Sequence, residues 1–179
     1  MAIVRKDKML AGYNGNLESV IVHDSAGKTL EITNGLFVKV KGLMDGQRET
    51  KKAVLAGIED VKEDVLLIHN PEVMYDERLY KLADYRIEAG KVARAYRLYD
   101  GDIITLTDDL FADATLVNGK VTARPNYTAG TKLAVKANGK LGTYDEKTIT
   151  PKVVFVVIED SGNELDLNMG AFAVQVVRN

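Results

Sequence analysis

Short apolar stretches with the two-residue alternation of β-strands run along most of this chain, separated by polar turn pairs. Four Asn-Gly pairs begin at Asn14, Asn34, Asn118 and Asn138, and two Asp-Gly pairs at Asp45 and Asp100. Asn, Asp and Gly tolerate the positive φ that tight hairpins require, so these pairs mark chain reversals. Residues 116–117 and 120–122 flank one turn, and 131–137 and 140–144 another. Residues 92–99 and 103–107 bracket Asp100-Gly101 and read as a third hairpin; 18–23 and 28–32 read as a fourth, around 24–27. The segments 152–158 and 172–177 are rich in β-branched residues and partly lack polar alternation, which predicts central strands buried on both faces.

Helical spacing is confined to one place. From Tyr75 to Ala89, after Pro71 and before Gly90, Tyr75, Leu79 and Leu82, with Tyr80, Ala83 and Ile87, recur at helix-like intervals, while residues 50–58 read as a short turn of helix or a connector. An ordered loop packed on a sheet would use the same residues. The pattern therefore predicts a mainly β fold, an antiparallel sandwich or small barrel, with one short helix or long loop. Residues 1–17 are set apart as an N-terminal extended arm, and 18–179 form a single mainly-β domain. The arm mixes apolar Ile3, Val4, Met9, Leu10 and Tyr13 with basic residues and includes Gly12 and Gly15. Such a terminus is mobile unless tied down. Two fates are open to it: folding back as an edge strand, or ordering on a partner. In the second case, removing it leaves the melting temperature unchanged and weakens docking.

The region from Tyr75 to Tyr99 concentrates Tyr75, Tyr80, Tyr85, Tyr96 and Tyr99 with Arg78, Arg86, Arg94 and Arg97. Tyr and Arg dominate the energetics of protein–protein contact, because each joins a large apolar body to polar groups that an interface can satisfy. Tyr75, Arg78, Tyr80, Tyr85, Arg94, Tyr96 and Arg97, with the apolar arm residues, are the candidate partner-binding set.

The same stretch carries a resemblance. His69-Asn70-Pro71-Glu72-Val73-Met74-Tyr75-Asp76-Glu77, then Ala89-Gly90-Lys91, Ala93-Arg94-Ala95-Tyr96-Arg97-Leu98 and Gly101-Asp102-Ile103, is similar to head or decoration proteins of tailed bacteriophages of Gram-positive hosts. Asn34-Gly35, Gly42-Leu43 and Gly46-Gln47-Arg48-Glu49 fit the same pattern. The resemblance covers residues 32–107 and consists of non-catalytic residues. It implies a virion structural protein that binds the major capsid protein on the capsid exterior, as a monomer or trimer, after assembly in the host cytoplasm. A fibre, spike or adhesion module that binds host-surface glycan is the alternative within the same class.

Composition narrows the remaining choices. The 46% hydrophobic and 28% charged content is that of a soluble globular chain. A net charge of −2 offers no basic stripe for phosphates, so nucleic acid is not an expected partner. The longest clean apolar run, 153–158, is far short of a membrane span, and the first eight residues lack the apolar core of a signal peptide. With no cysteine, disulfides and thiolate chemistry are absent.

Motif-like fragments are weighed against their structural readings. Gly27-Lys28-Thr29 matches the end of a phosphate-binding loop, but Val22 stands where the first glycine is required and a strand pattern follows. Asn126-Tyr127-Thr128 matches a glycosylation acceptor, which has meaning only after secretion. The acids of 100–102, 108–109 and 160–166 lack the full spacing of a calcium loop, leaving Asp160, Asn163 and Asp166 as a weak candidate set. His23 and His69 are the only histidines, and no Gly-x-Ser-x-Gly or His-Glu-x-x-His run accompanies them. The expectation is a non-enzymatic protein without metal or cofactor.

Overall fold

The computed structural model describes residues 4–8, 17–71, 85–160 and 170–178. These residues form β1 (Val4–Lys8), β2 (Leu17–His23), β3 (Phe37–Leu43), β4 (Thr50–Leu55), β5 (Leu66–Ile68), β6 (Ala93–Arg97) and β7 (Ile103–Thr107). They continue with β8 (Thr115–Val117), β9 (Lys120–Ala123), β10 (Lys132–Ala137), β11 (Lys140–Thr143), β12 (Val153–Glu159) and β13 (Ala171–Arg178). Helix among them is limited to short 3-10 turns such as Ile58–Asp60 and Asp108–Leu110.

The expected mainly β fold is present in both of its forms. Strands β2-β4-β3-β5-β6 close into a five-stranded barrel, and a six-stranded sheet runs β1-β7-β13-β12-β10-β11. A separate two-stranded ribbon joins β8 to β9. All pairings in the large sheet are antiparallel, whereas β2 and β4 in the barrel run parallel.

Alternation along the barrel strands sorts side chains between two cores. Val20, Val22, Val38, Leu66, Ile68, Ala93 and Ala95 fill the barrel interior. Their neighbours Phe37, Leu67, Tyr96 and Leu98 point the other way, into a larger core shared with the sheet. There they meet Ile104, Leu106, Leu133, Phe155, Phe172 and Val174. The ring of Phe37 packs edge-on against Phe155 with centroids 4.9 Å apart. An uninterrupted apolar run such as Leu66-Leu67-Ile68 thus reflects a strand with a dry core on each face.

Turn chemistry supports two of the expected hairpins directly. Asn118 and Gly119 have φ of 50° and 74° between β8 and β9, and Asn138 and Gly139 have 53° and 71° between β10 and β11. The first is the type I′ pattern at the tip of an exposed ribbon. The second also joins the two layers. Gly139 receives a hydrogen bond from the Phe37 N–H at its carbonyl (2.8 Å), and its own N–H donates to the Ala56 carbonyl (2.8 Å). A Cβ at Gly139 would stand 2.5 Å from the Phe37 carbonyl oxygen, so only glycine allows this approach.

Two expectations are corrected. The segments around Asp100-Gly101 are not a hairpin: β6 belongs to the barrel, pairing with β2 and β5, while β7 pairs with β1 and β13. The turn is a corner between layers, held by Gly101 N–H to the Val176 carbonyl (2.9 Å), Val176 N–H to the Asp102 carbonyl (2.8 Å) and Tyr99 N–H to the Asp102 carboxylate (2.8 Å). Residues 28–32 form no continuous strand. Isolated bridges join Thr29 to His23 and Ile32 to Ile87.

Residues 75–84 of the expected helix, Tyr75 to Ala89, lie outside the described residues. Its far end, from Tyr85 onward, is extended where Ile87 bridges Ile32. Val4–Lys8 takes the edge-strand course on β7, and Val4 reaches the shared core. Of the two fates open to the arm, Val4–Lys8 follows the first, and the buried Val4 contributes to stability.

Candidate partner-binding site

Of the candidate set, Ile3, Met9, Leu10, Tyr13, Tyr75, Arg78 and Tyr80 lie outside the described residues. The others are drawn to different places. Val4 and Tyr96 face the shared core, 6% and 7% exposed. Tyr85 is half-buried against the barrel core, and Arg94 is exposed. Arg97 sits on the barrel-facing side of β6 but at the barrel's end, where its guanidinium reaches two carboxylates.

Two asparagines tie the end of β5 to the start of β6. The Asn70 N–H donates to the Asn34 side-chain oxygen (2.8 Å), and the Asn34 amide donates to the Asn70 carbonyl (3.0 Å). The Asn70 side chain spans to the start of β6, accepting from the Arg94 N–H (2.7 Å) and donating to the Val92 carbonyl (3.3 Å). His69 N–H adds a bond to the Arg94 carbonyl (3.0 Å). Asn34 is buried, so its side-chain amide and carbonyl need these partners. Asn34 was read from sequence only as a turn residue. Its second role depends on a residue 36 positions away.

At the seam between barrel and sheet, Asp64 collects three cations. Arg97 contacts it at 2.5 Å, Lys152 at 3.4 Å, and Arg178 donates to it from the end of β13. Arg178 also donates to the Leu98 carbonyl (2.5 Å), which links β13 to the chain leaving the barrel. Glu18 continues the ladder through Arg97 (3.9 Å) and Lys51 (2.7 Å). Burial pushes the Asp64 carboxyl up, but the Arg178 hydrogen bond and the three positive charges hold it below its ordinary value. Tyr99 and Val177, each 37% exposed, follow Leu98 and precede Arg178 in the chain. Nothing in the local sequence around Asp64 signalled this meeting, because its partners come from three distant segments.

The remaining polar clusters do structural work. Ala26 and Lys28 donate their N–H groups to the Asp24 carboxylate (2.9 and 2.8 Å), so amides that a phosphate loop would offer to its ligand are already occupied. The Ile21 carbonyl can only accept, so it takes the His23 Nδ1 proton at 2.9 Å. That histidine lines an open cleft of about 400 Å³ with Lys41, Asp45 and Lys52. The His69 ring stands edge-on to Tyr96.

Asp113 accepts from Lys136 (2.6 Å), the Tyr127 hydroxyl (2.8 Å), and the Thr143 N–H and hydroxyl (2.8 and 2.9 Å). Burial alone would raise its pKa; the donors prevail and hold it at about 2. The same burial and contact push the Tyr127 hydroxyl far upward. Asp108 goes the opposite way: burial raises it despite the neighbouring Arg124, which also lies over the Phe172 ring at 4.7 Å.

Asp160 accepts from the Ala129 N–H (3.2 Å), while Asn163 and Asp166 lie outside the described residues. Among the described residues no group of three or more His, Asp or Glu is placed to hold a metal ion. None of their helices is long and apolar enough to cross a membrane. No protein-family model, curated protein or solved structure matches this chain.

Proposed function

We propose that this chain is a non-enzymatic structural protein of a tailed-bacteriophage virion, a decoration subunit that binds the major capsid lattice from outside. The observation that carries the reading is the Asn34–Asn70 clamp, which joins β5 to β6 within a region of the sequence rich in Tyr and Arg. Both asparagines belong to the residues that resemble phage head proteins. Groups held in place before docking lose less entropy on binding, so the ordered backbone at Asn70 and Arg94 favours recognition there. At the other end of β5 and β6, the Asp64 seam with its cations, and the exposed Tyr99, add groups of interface type.

The mechanism is linkage. A subunit that binds only the assembled lattice shifts the equilibrium toward that lattice, and the gain grows with its affinity and concentration. Quantitative mass spectrometry of purified particles tests the reading. The expected copy number is comparable to that of the major capsid protein. A handful of copies per particle would reassign the chain to a connector, tail or vertex fibre, and glycan binding by the isolated protein would favour the adhesion module.

A further inference from the structure

We propose that β1 is an exchangeable strand: the groove it fills on β7 also accepts β1 of a neighbouring copy of this chain. β1 is the outermost strand of the large sheet and pairs only with β7 among the described strands. Its register sets Val4 opposite Leu106, Arg5 opposite Thr105 and Lys6 opposite Ile104, then slips before Lys8 meets Ile103.

The groove is cut to fit this strand. Val4 is 6% exposed and lies over Gly35, whose φ is +87°. A Cβ at Gly35 would stand 2.7 Å from Val4 Cγ2 and 2.3 Å from Leu110 Cδ1, so the missing side chain is what opens the slot. An identical copy brings an identical strand. Every contact made by β1 within its own chain can be made across two chains, and the two arrangements differ only in connectivity.

The balance then rests on effective concentration. A strand joined to its own chain through a short linker is presented at roughly millimolar concentration. Neighbours held side by side at that density compete for the groove on equal terms. This last step rests on the decoration reading, since a particle surface is what would crowd the copies. An empty groove is the unfavourable state, because it bares the β7 edge beside the buried Ile104 and Leu106. Exchange among neighbours would tie subunits into a mesh without any new contact surface.

The absence of cysteine allows a direct test in the full-length protein. Arg5 and Thr105 are cross-strand partners, and Cα atoms of such pairs lie about 4.5–5.5 Å apart, within disulfide reach. A chain carrying only R5C and a chain carrying only T105C are mixed in equal amounts at about millimolar concentration in a glutathione redox buffer. One chain is isotope-labelled so that mass spectrometry separates the dimers. Exchange predicts that the mixed R5C–T105C disulfide far exceeds the half share of all dimers that random pairing yields. A mixed share at or below half overturns the proposal. Adding Val4→Asp to the R5C chain spoils the donor strand and leaves the acceptor groove intact, and should cut the mixed dimer about tenfold. An unchanged yield would also overturn it. No capsid is present in this test, so failure of exchange leaves the decoration reading to be judged by copy number alone.

Discussion

At the scale of single residues, two glycines with similar backbone strain separate conformation from contact. Gly101 has φ of +85° with open space where a Cβ would stand, whereas Gly139 has φ of +71° and a Phe37 carbonyl oxygen 2.5 Å from that position. Gly101→Ala should therefore cost only the left-handed strain, about 1 kcal/mol. Gly139→Ala adds a backbone collision and should cost about 3 kcal/mol or more, because the barrel and sheet must part to relieve it. Urea denaturation of both variants checks this. Equal losses would mean that the layers move aside freely at that turn. Asn138-Gly139 was legible as a turn from sequence, but its contact with Phe37 was not, since the two lie far apart in the chain.

Among elements, the edge strand β11 depends on one carboxylate. Asp113 accepts both the N–H and the hydroxyl of Thr143 at the end of β11, and Ala112 N–H donates to the Leu141 carbonyl (2.6 Å). These bonds cover an edge that would otherwise offer unpaired groups to another chain. The folded-state pKa of Asp113, about 2, lies below the ordinary unfolded value near 3.9. A depressed carboxylate contributes stability that is complete above the unfolded value and is lost as pH falls through the folded one. Thermal melts of the wild type and Asp113→Asn should therefore differ most above about pH 4 and converge toward about pH 2. Asp60 and Asp64 are also lowered and act in the same direction, so the difference between the two proteins isolates Asp113. A gap that stays constant across this range would show that the charge of Asp113 is not what holds the edge.

For the whole molecule, the shared core makes barrel and sheet dependent on each other. Phe37, Leu67, Tyr96 and Leu98 leave the barrel wall to pack on Phe155, Phe172 and the strands around them. The Asp64 seam and the Gly139 bonds cross the same boundary. Neither layer can bury these side chains alone, so thermal unfolding should be a single cooperative transition. Far-ultraviolet circular dichroism and tyrosine absorbance would then give coincident midpoints. Two separated midpoints would show that the barrel survives without the sheet.

Much of this fold was legible in the sequence because its signals are local. A strand's two-residue alternation, the φ preferences of Asn-Gly, and the β-branched run of β12 act over a few residues. They sufficed to mark β2, β6 to β13 and two hairpins and to predict central places for β12 and β13. They missed β3 and β4 and placed a strand at 28–32 that is not continuous. Alternation assigns a side chain to a face, however, and does not say what lies on that face. Ala93, Ala95 and Tyr96 looked like one two-sided strand, yet only the folded chain shows the alanines inside a barrel and the tyrosine in a second core. The same limit produced the mistaken Asp100-Gly101 hairpin, since a turn fixes a local change of direction and not the sheet that the next strand joins. The parallel pairing of β2 with β4, the Asn34–Asn70 clamp and the Asp64 seam join segments distant in sequence. Tertiary structure decided them, because long-range pairing follows from the total apolar surface that both layers bury together, a quantity carried by no single segment.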